Sequence, residues 1–226
     1  MIPWKLLDRA PVPGNGPELV LYSRGEEFSI RVDRTELMNS RVYSREDALS
    51  KIGCARVRDR KKARVLIGGL GMGFSTITAL DNLDRDAEVV VAELVPGVVK
   101  WNREVFGHLA GHPLRDRRTT LREGDVARVI RESKHGFDAI LLDVDNGPEG
   151  LTRRANDWLY SDAGIGYARD ALRPNGIVGY WSAASDRGFV KRLKRASLNV
   201  EEIEYGGQGR GRGARTVLWI ATPVGR

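Results

Sequence analysis

Short apolar runs recur along this chain, separated by stretches in which apolar residues fall at helical spacing. Val65-Leu66-Ile67 is followed by Gly68, Gly69, Gly71 and Gly73, then by a helical stretch over 74–83. Val89-Val90-Val91-Ala92 comes next and ends at Glu93. This order predicts a βαβ unit, strand, glycine turn, helix, strand and acid, with Glu93 twenty residues after Gly73. Pro96 opens a further helix whose apolar face is Val98, Val99, Trp101, Val105 and Phe106. Thr119-Thr120-Leu121 reads as a third strand ending at Glu123-Gly124-Asp125, and a helix begins at Asp125. Residues 137–142 are almost continuously apolar, as in a strand buried on both faces, and end at Asp143. A helix carrying Tyr167, Ala168, Ala171 and Leu172 is closed by Arg173-Pro174-Asn175-Gly176 before a strand over 177–181. An amphipathic helix with Phe189, Val190, Leu193 and Leu198 follows, then strands over 200–205 and 216–221 with no helix between them. Alternating strands and helices predict a mostly parallel, Rossmann-like α/β sheet, with the last pair an antiparallel hairpin at one edge.

Upstream the period changes. Residues 1–17 hold Pro3, Pro11, Pro13 and Pro17 and read as an irregular lead-in. Apolar and polar residues alternate through Leu19, Leu21, Phe28, Ile30 and Val32, and Leu37-Met38 follows, so 18–40 reads as a small antiparallel meander. Ser44 and Asp47 mark a helix start, with Ala48, Leu49, Ile52 and Ala55 inward. The basic run 56–64 reads as a solvated linker. The expected organisation is a lead-in and meander over 1–43, a connecting helix and linker over 44–62, and a nucleotide-binding domain over 63–226.

The glycines matter because they permit a sharp turn and let a ligand approach the backbone. Gly69, Gly71 and Gly73 are therefore candidate cofactor-binding positions, and Glu93 is a candidate acceptor for both hydroxyls of a ribose. Ligands in such sheets sit at the carboxyl ends of the strands, which is where Glu93, Asp125 and Asp143 fall.

The 226-residue chain is 41% hydrophobic and 30% charged, ordinary for a globular protein. No apolar run is long enough for a membrane span, and the first residues lack a signal-peptide core, so no membrane and a cytoplasmic location are expected. A single cysteine, Cys54, excludes an internal disulfide and reads as core; three scattered histidines offer no metal-ligand spacing, so no metal is expected. The net charge of +7 allows anionic partners or simply a basic surface.

Four motifs resemble the spermidine synthase family within the class I S-adenosylmethionine-dependent transferase superfamily. IGGLGMG stands where that family has IGGGDGG. VVVAELVPGVV resembles its second strand, with the ribose-binding acid on Glu93. EGDV resembles its GD pair, whose Asp, here Asp125, holds the adenine amino group. LLDVDNGPEG resembles its DSSDP loop, whose first Asp, here Asp143, takes the proton from an attacking amine. The N-terminal meander is also a family trait. The resemblance implies S-adenosylmethionine or its decarboxylated form as donor, contacting Asp143 as well as the glycine turn. It further implies transfer of an aminopropyl-type group to a small amine acceptor, and a place in polyamine biosynthesis. Gly71 stands where the family has Asp in its glycine turn. The loop's second Asp falls on Asn146, with Asp145 adjacent as a further catalytic candidate. The nearest matches to the amine-binding residues near the meander's end are Asn39 and Tyr43. Trp158 and Tyr160 either wall the acceptor pocket or pack the loop onto the sheet.

Two other readings stay open: methyl transfer from S-adenosylmethionine to a small molecule or RNA, and non-catalytic RNA binding through the basic linker and GGQGRGRGAR. A homodimer is the protein partner considered.

Overall fold

The computed structural model describes residues 2–14, 16–41, 46–144, 154–206 and 216–225. The N-terminal part is a four-stranded antiparallel sheet in the order β1-β2-β3-β4, formed by β1 (Lys5–Ala10), β2 (Leu19–Arg24), β3 (Glu27–Val32) and β4 (Thr35–Asn39). The meander is therefore one strand larger than the alternation predicts, because residues 5–10 are a strand and not an irregular lead-in. Their prolines flank the strand and do not interrupt it, and β1 is an edge strand, where Pro11 removes no ladder bond. Alternation is absent from β1 because little of it faces a core: Leu6 and Leu7 are 43% and 40% exposed, and only Ala10 is buried.

The connecting helix α1 (Glu46–Ala55) leads to a seven-stranded sheet built from β5 (Arg64–Gly68), α2 (Phe74–Asn82), β6 (Glu88–Glu93), α3 (Pro96–Glu104), β7 (Thr119–Glu123), α4 (Val126–Glu132), β8 (Phe137–Leu142), α5 (Asp162–Ala171), β9 (Leu172–Ser182), α6 (Arg187–Arg195), β10 (Leu198–Tyr205) and β11 (Thr216–Pro223). The strand order is β10-β11-β9-β8-β5-β6-β7. The five strands from β7 to β9 run parallel, and β11 is antiparallel to both β9 and β10. The expected terminal hairpin is present, with β10 outermost and β11 inserted against β9.

Successive side chains of a strand point to opposite faces, and here both faces are covered. Val65, Ile67, Val89, Val91 and Leu141 enter one core with residues of α1, α2 and α3. Leu66, Val90, Ile140 and Leu142 enter the other with residues of α4, α5 and α6. The first core also takes in Leu21 and Ile30 of the N-terminal sheet. That sheet docks on α3, where Asp8 accepts hydrogen bonds from Trp101 Nε1 at 2.9 Å and Lys100 Nζ at 3.0 Å.

Three local readings change. In α1, Gly53 and Cys54 are buried and Ala55 is exposed, because Leu49 and Gly53 are the residues set against β8 and β9. Residues 173–176 do not terminate a helix; α5 ends at Ala171, and 173–176 form a bulge within β9 between Leu172, paired with Phe137, and Ile177, paired with Ala139. The basic run is not merely solvated either. Arg60 Nη1 donates to Asp138 Oδ1 at 2.7 Å, and Arg173 Nη1 and the Arg64 backbone N–H both donate to Oδ2 at 2.8 Å. Asp138 is only 3% exposed, so these bonds compensate a buried charge where β5, β8 and β9 begin.

Candidate active site at the carboxyl ends of the strands

The glycine turn joins β5 to α2 with Gly69, Gly71 and Gly73 at φ of +92°, +51° and +90°, a region that strains residues with side chains. At Gly69, where the neighbour is backbone, space is as restrictive as torsion; at Gly71 the neighbour is the end of a flexible side chain. A Cβ on Gly69 would lie 2.6 Å from the carbonyl oxygen of Asp143, and one on Gly71 would lie 2.7 Å from Met38 Cε. The turn is thus pressed against the end of β8 on one side and β4 on the other. Asn102 of α3 donates from Nδ2 to Gly71 O at 2.7 Å and holds it there.

Glu93, at the tip of β6, is 7% exposed. Its Oε2 accepts the Leu70 N–H and its Oε1 the Val95 N–H, each at 2.8 Å. Burial pushes its proton affinity up, while N–H groups of Val95, Leu70, Gly71 and Leu94 act in the opposite direction. The carboxylate therefore ties the glycine turn to β6, a role that spacing alone does not reveal. Gly69 N–H goes to Ala92 O and Gly73 N–H to Leu70 O, so the Gly69, Leu70 and Gly73 N–H groups are engaged within the protein.

Asp125 stands one strand further along, beyond β7, as the N-cap of α4, its Oδ1 accepting from Ala127 N at 2.8 Å. Its neighbour Gly124 donates its backbone N–H to Glu93 O at 2.8 Å, which brings the two strand ends together.

Asp143 follows β8, half-buried, with its backbone N–H on Gly68 O at 3.1 Å. Ser75 Oγ of α2 donates to its Oδ2 at 2.8 Å. Burial raises the Asp143 pKa from 3.8 to about 6, with the Asp47 charge adding to the rise and the Ser75 bond opposing it. Asp47, on α1, accepts from Thr78 Oγ1 at 3.1 Å. The structure thus gathers the glycine turn, Glu93, Asp125 and Asp143 along one edge of the sheet. It adds Met38, Asp47, Ser75, Thr78 and Asn102, which sequence reasoning missed. Asp47 was absorbed into a helix-start signal, and the others lie within regular strand or helix patterns.

The proposed acceptor residues are placed differently. Asn39 is one residue beyond Met38 on β4, bonded through Nδ2 to Glu36 Oε1 at 2.6 Å and accepting from the Arg41 N–H at 3.0 Å. Tyr160 is 3% exposed and packs its ring 5.8 Å from Tyr180 and 5.3 Å from Phe189. These residues belong to the core under α4, α5 and α6, the sheet face opposite the one on which α2 holds Asp143. Trp158 packs beside Tyr167, its ring under the Arg131 guanidinium. Tyr43, Asp145 and Asn146 lie outside the described residues, as do 207–215 of the glycine-arginine segment. Cys54 is fully buried, as a core residue should be, and burial pushes its thiol up to about 12. Among the described residues, no three His, Cys, Asp or Glu side chains gather as a metal site, and no helix is long and apolar enough to cross a membrane.

No protein-family model and no curated protein matches the sequence. Solved structures do. A spermidine synthase in complex with the transition-state analogue AdoDATO superposes with a TM-score of 0.78 at 14% identity, over 97% of this chain and 74% of that one. The spermidine synthase from Thermotoga maritima gives 0.76 at 13% identity, over 97% and 73%. A probable spermidine synthase from Corynebacterium glutamicum gives 0.67 at 13% identity, over 96% and 79%. The chain therefore has the fold of these spermidine synthases, N-terminal sheet included.

Proposed function

We propose that this chain is a spermidine synthase-like transferase that moves an aminopropyl-type group from decarboxylated S-adenosylmethionine to a small amine. The observation that carries the reading is the placement of Asp143: its backbone carbonyl lies against Gly69 of the glycine turn at the carboxyl edge of the sheet, and its carboxylate, held by Ser75 of α2, has its proton affinity raised by burial. The amine lone pair attacks the carbon bonded to the sulfonium. The carbon–sulfur bond breaks with its electron pair going to sulfur, leaving a neutral thioether. The proton displaced from nitrogen passes to Asp143. A base with this proton affinity is ionised at neutral pH yet accepts a proton readily. Glu93 and Asp125 serve the ribose and the adenine from the neighbouring strand ends.

The state of the turn favours the decarboxylated donor. An intact donor carries a carboxylate that needs an N–H or a cation, and the N–H groups of Gly69, Leu70 and Gly73 are already engaged. The carboxylates of Asp143 and Asp47 suit a cationic ligand. Calorimetry with S-adenosylmethionine, its decarboxylated form and methylthioadenosine tests this. Tighter binding of the decarboxylated donor is expected; preference for the intact donor would favour methyl transfer instead.

Glu93→Gln keeps one acceptor oxygen for the turn but sets an NH2 group against an N–H donor. Its affinity for methylthioadenosine should fall by about tenfold or more, in line with loss of a charge-assisted hydrogen bond. An unchanged Kd in a folded variant would show that the carboxylate only ties the turn to β6.

A further inference from the structure

Thr78 follows Ser75 by three residues on α2, so the two hydroxyls lie on one face of the helix, about a turn apart. Ser75 holds Asp143 at 2.8 Å, and Thr78 holds Asp47 at 3.1 Å. One helix thus brackets two carboxylates that arrive from different elements, one from the end of β8 and one from the first turn of α1. Asp47 is half-buried, and among the described residues the hydrogen bond to its carboxylate comes from the neutral Thr78 hydroxyl. We infer that Asp47 is a positioning residue for Asp143, a second negative charge held a turn along α2 that strengthens the strand-end carboxylate as a proton acceptor. The inference rests on the role of Asp143 proposed above.

The physical case is that of two like charges sharing one region. The second to ionise does so against the charge of the first. Among the described residues, the groups acting on Asp143 are the Ser75 hydroxyl from α2 and the Asp47 carboxylate from α1. Burial raises the proton affinity of Asp47, while the Thr78 hydroxyl and, four residues further along α1, the Lys51 ammonium act in the opposite direction and favour its charged form. Glu93 is turned away into the backbone N–H groups of its own turn, and Tyr180 of β9 lies in the core on the opposite face of the sheet. Asp47 therefore supplies the neighbouring charge against which Asp143 ionises. A carboxylate with a raised proton affinity is the better base near neutral pH, provided it is still ionised there.

The test reads Asp143 directly and needs no substrate. Carbon-13 NMR of the carboxyl groups, with the Asp143 signal assigned by its loss in Asp143→Asn, gives the titration midpoint in the full chain. In Asp47→Asn the midpoint should fall by roughly half a unit or more, toward the ordinary carboxylate value. Asp47→Glu should restore it in part. Thr78→Val provides a second route should Asp47→Asn fold poorly. Without the hydroxyl, Asp47 is either less well placed or less fully charged, and both lower the Asp143 midpoint. In the active enzyme the acid limb of kcat/KM should move down in pH by the same interval, a shift that a merely structural role would not produce. An Asp143 midpoint unmoved in folded Asp47→Asn or Thr78→Val overturns the inference. A midpoint that falls in a protein inactive toward every amine upholds the coupling and removes Asp143 as a base, so the two failures are separable.

Discussion

Asp143→Asn is expected to lower turnover by about 10²–10⁴, the usual range for loss of a general base, and to make the protein more stable at neutral pH. Both effects come from the same burial. The folded protein holds the Asp143 proton with a pKa of about 6, against 3.8 for the unconstrained group. Between these values the folded state binds more protons than the unfolded one, so stability falls as pH rises through this window. Below about 4 the group costs nothing; above about 6 the full cost of its ionisation is present, at most about 3 kcal/mol. Asparagine has no charge to bury, and its amide oxygen still accepts from Ser75. The difference in Tm between variant and wild type should therefore open from about pH 4 to 6 and stay constant above. Donor affinity should change far less than turnover. Parallel melting curves at all pH values would remove the strained carboxylate. Full activity, or loss of donor binding in proportion to activity, would move Asp143 from base to scaffold.

Asp138→Ala should give the largest loss of stability among single substitutions of charged residues, about 3–5 kcal/mol. The carboxylate is buried at the start of β8 and answers Arg60, Arg173 and the Arg64 N–H together. Alanine leaves a buried backbone donor and two partly buried guanidinium groups without their common acceptor. For a chain of this length the expected fall in Tm is on the order of 10 °C. Asp138→Asn keeps an acceptor oxygen and should lose less. A change below about 1 kcal/mol in Asp138→Ala would mean that solvent replaces the carboxylate freely.

Much of the main sheet is legible in the sequence because its central strands are buried on both faces. Val65-Leu66-Ile67, Val89-Val90-Val91 and 137–142 need no knowledge of their neighbours to be read as strands, and the acids that end them fall at strand tips by position alone. The left-handed glycines follow from the same local logic, since a sharp turn between strand and helix needs them at specific steps. β1 escapes this logic. An edge strand with one buried residue carries no period, and its place is decided by pairing with β2 and by Asp8 meeting Trp101 and Lys100 some ninety residues away.

The α/β class, the glycine turn and the positions of Glu93, Asp125 and Asp143 at the carboxyl ends of strands are written in the sequence, because each depends on contacts within a short span of chain. Only the tertiary structure decided how those groups are used in the fold. Glu93 is drawn into the turn's N–H groups, Tyr160 is taken into the far core, and Arg60 is called back to Asp138. Asp47 and Asp143, from different elements, are each held by a hydroxyl of α2. The physical reason is that hydrogen-bond partners and burial are properties of surfaces brought together from distant parts of the chain. A residue's type states what it can donate or accept, and its neighbours in space state which of those bonds it makes.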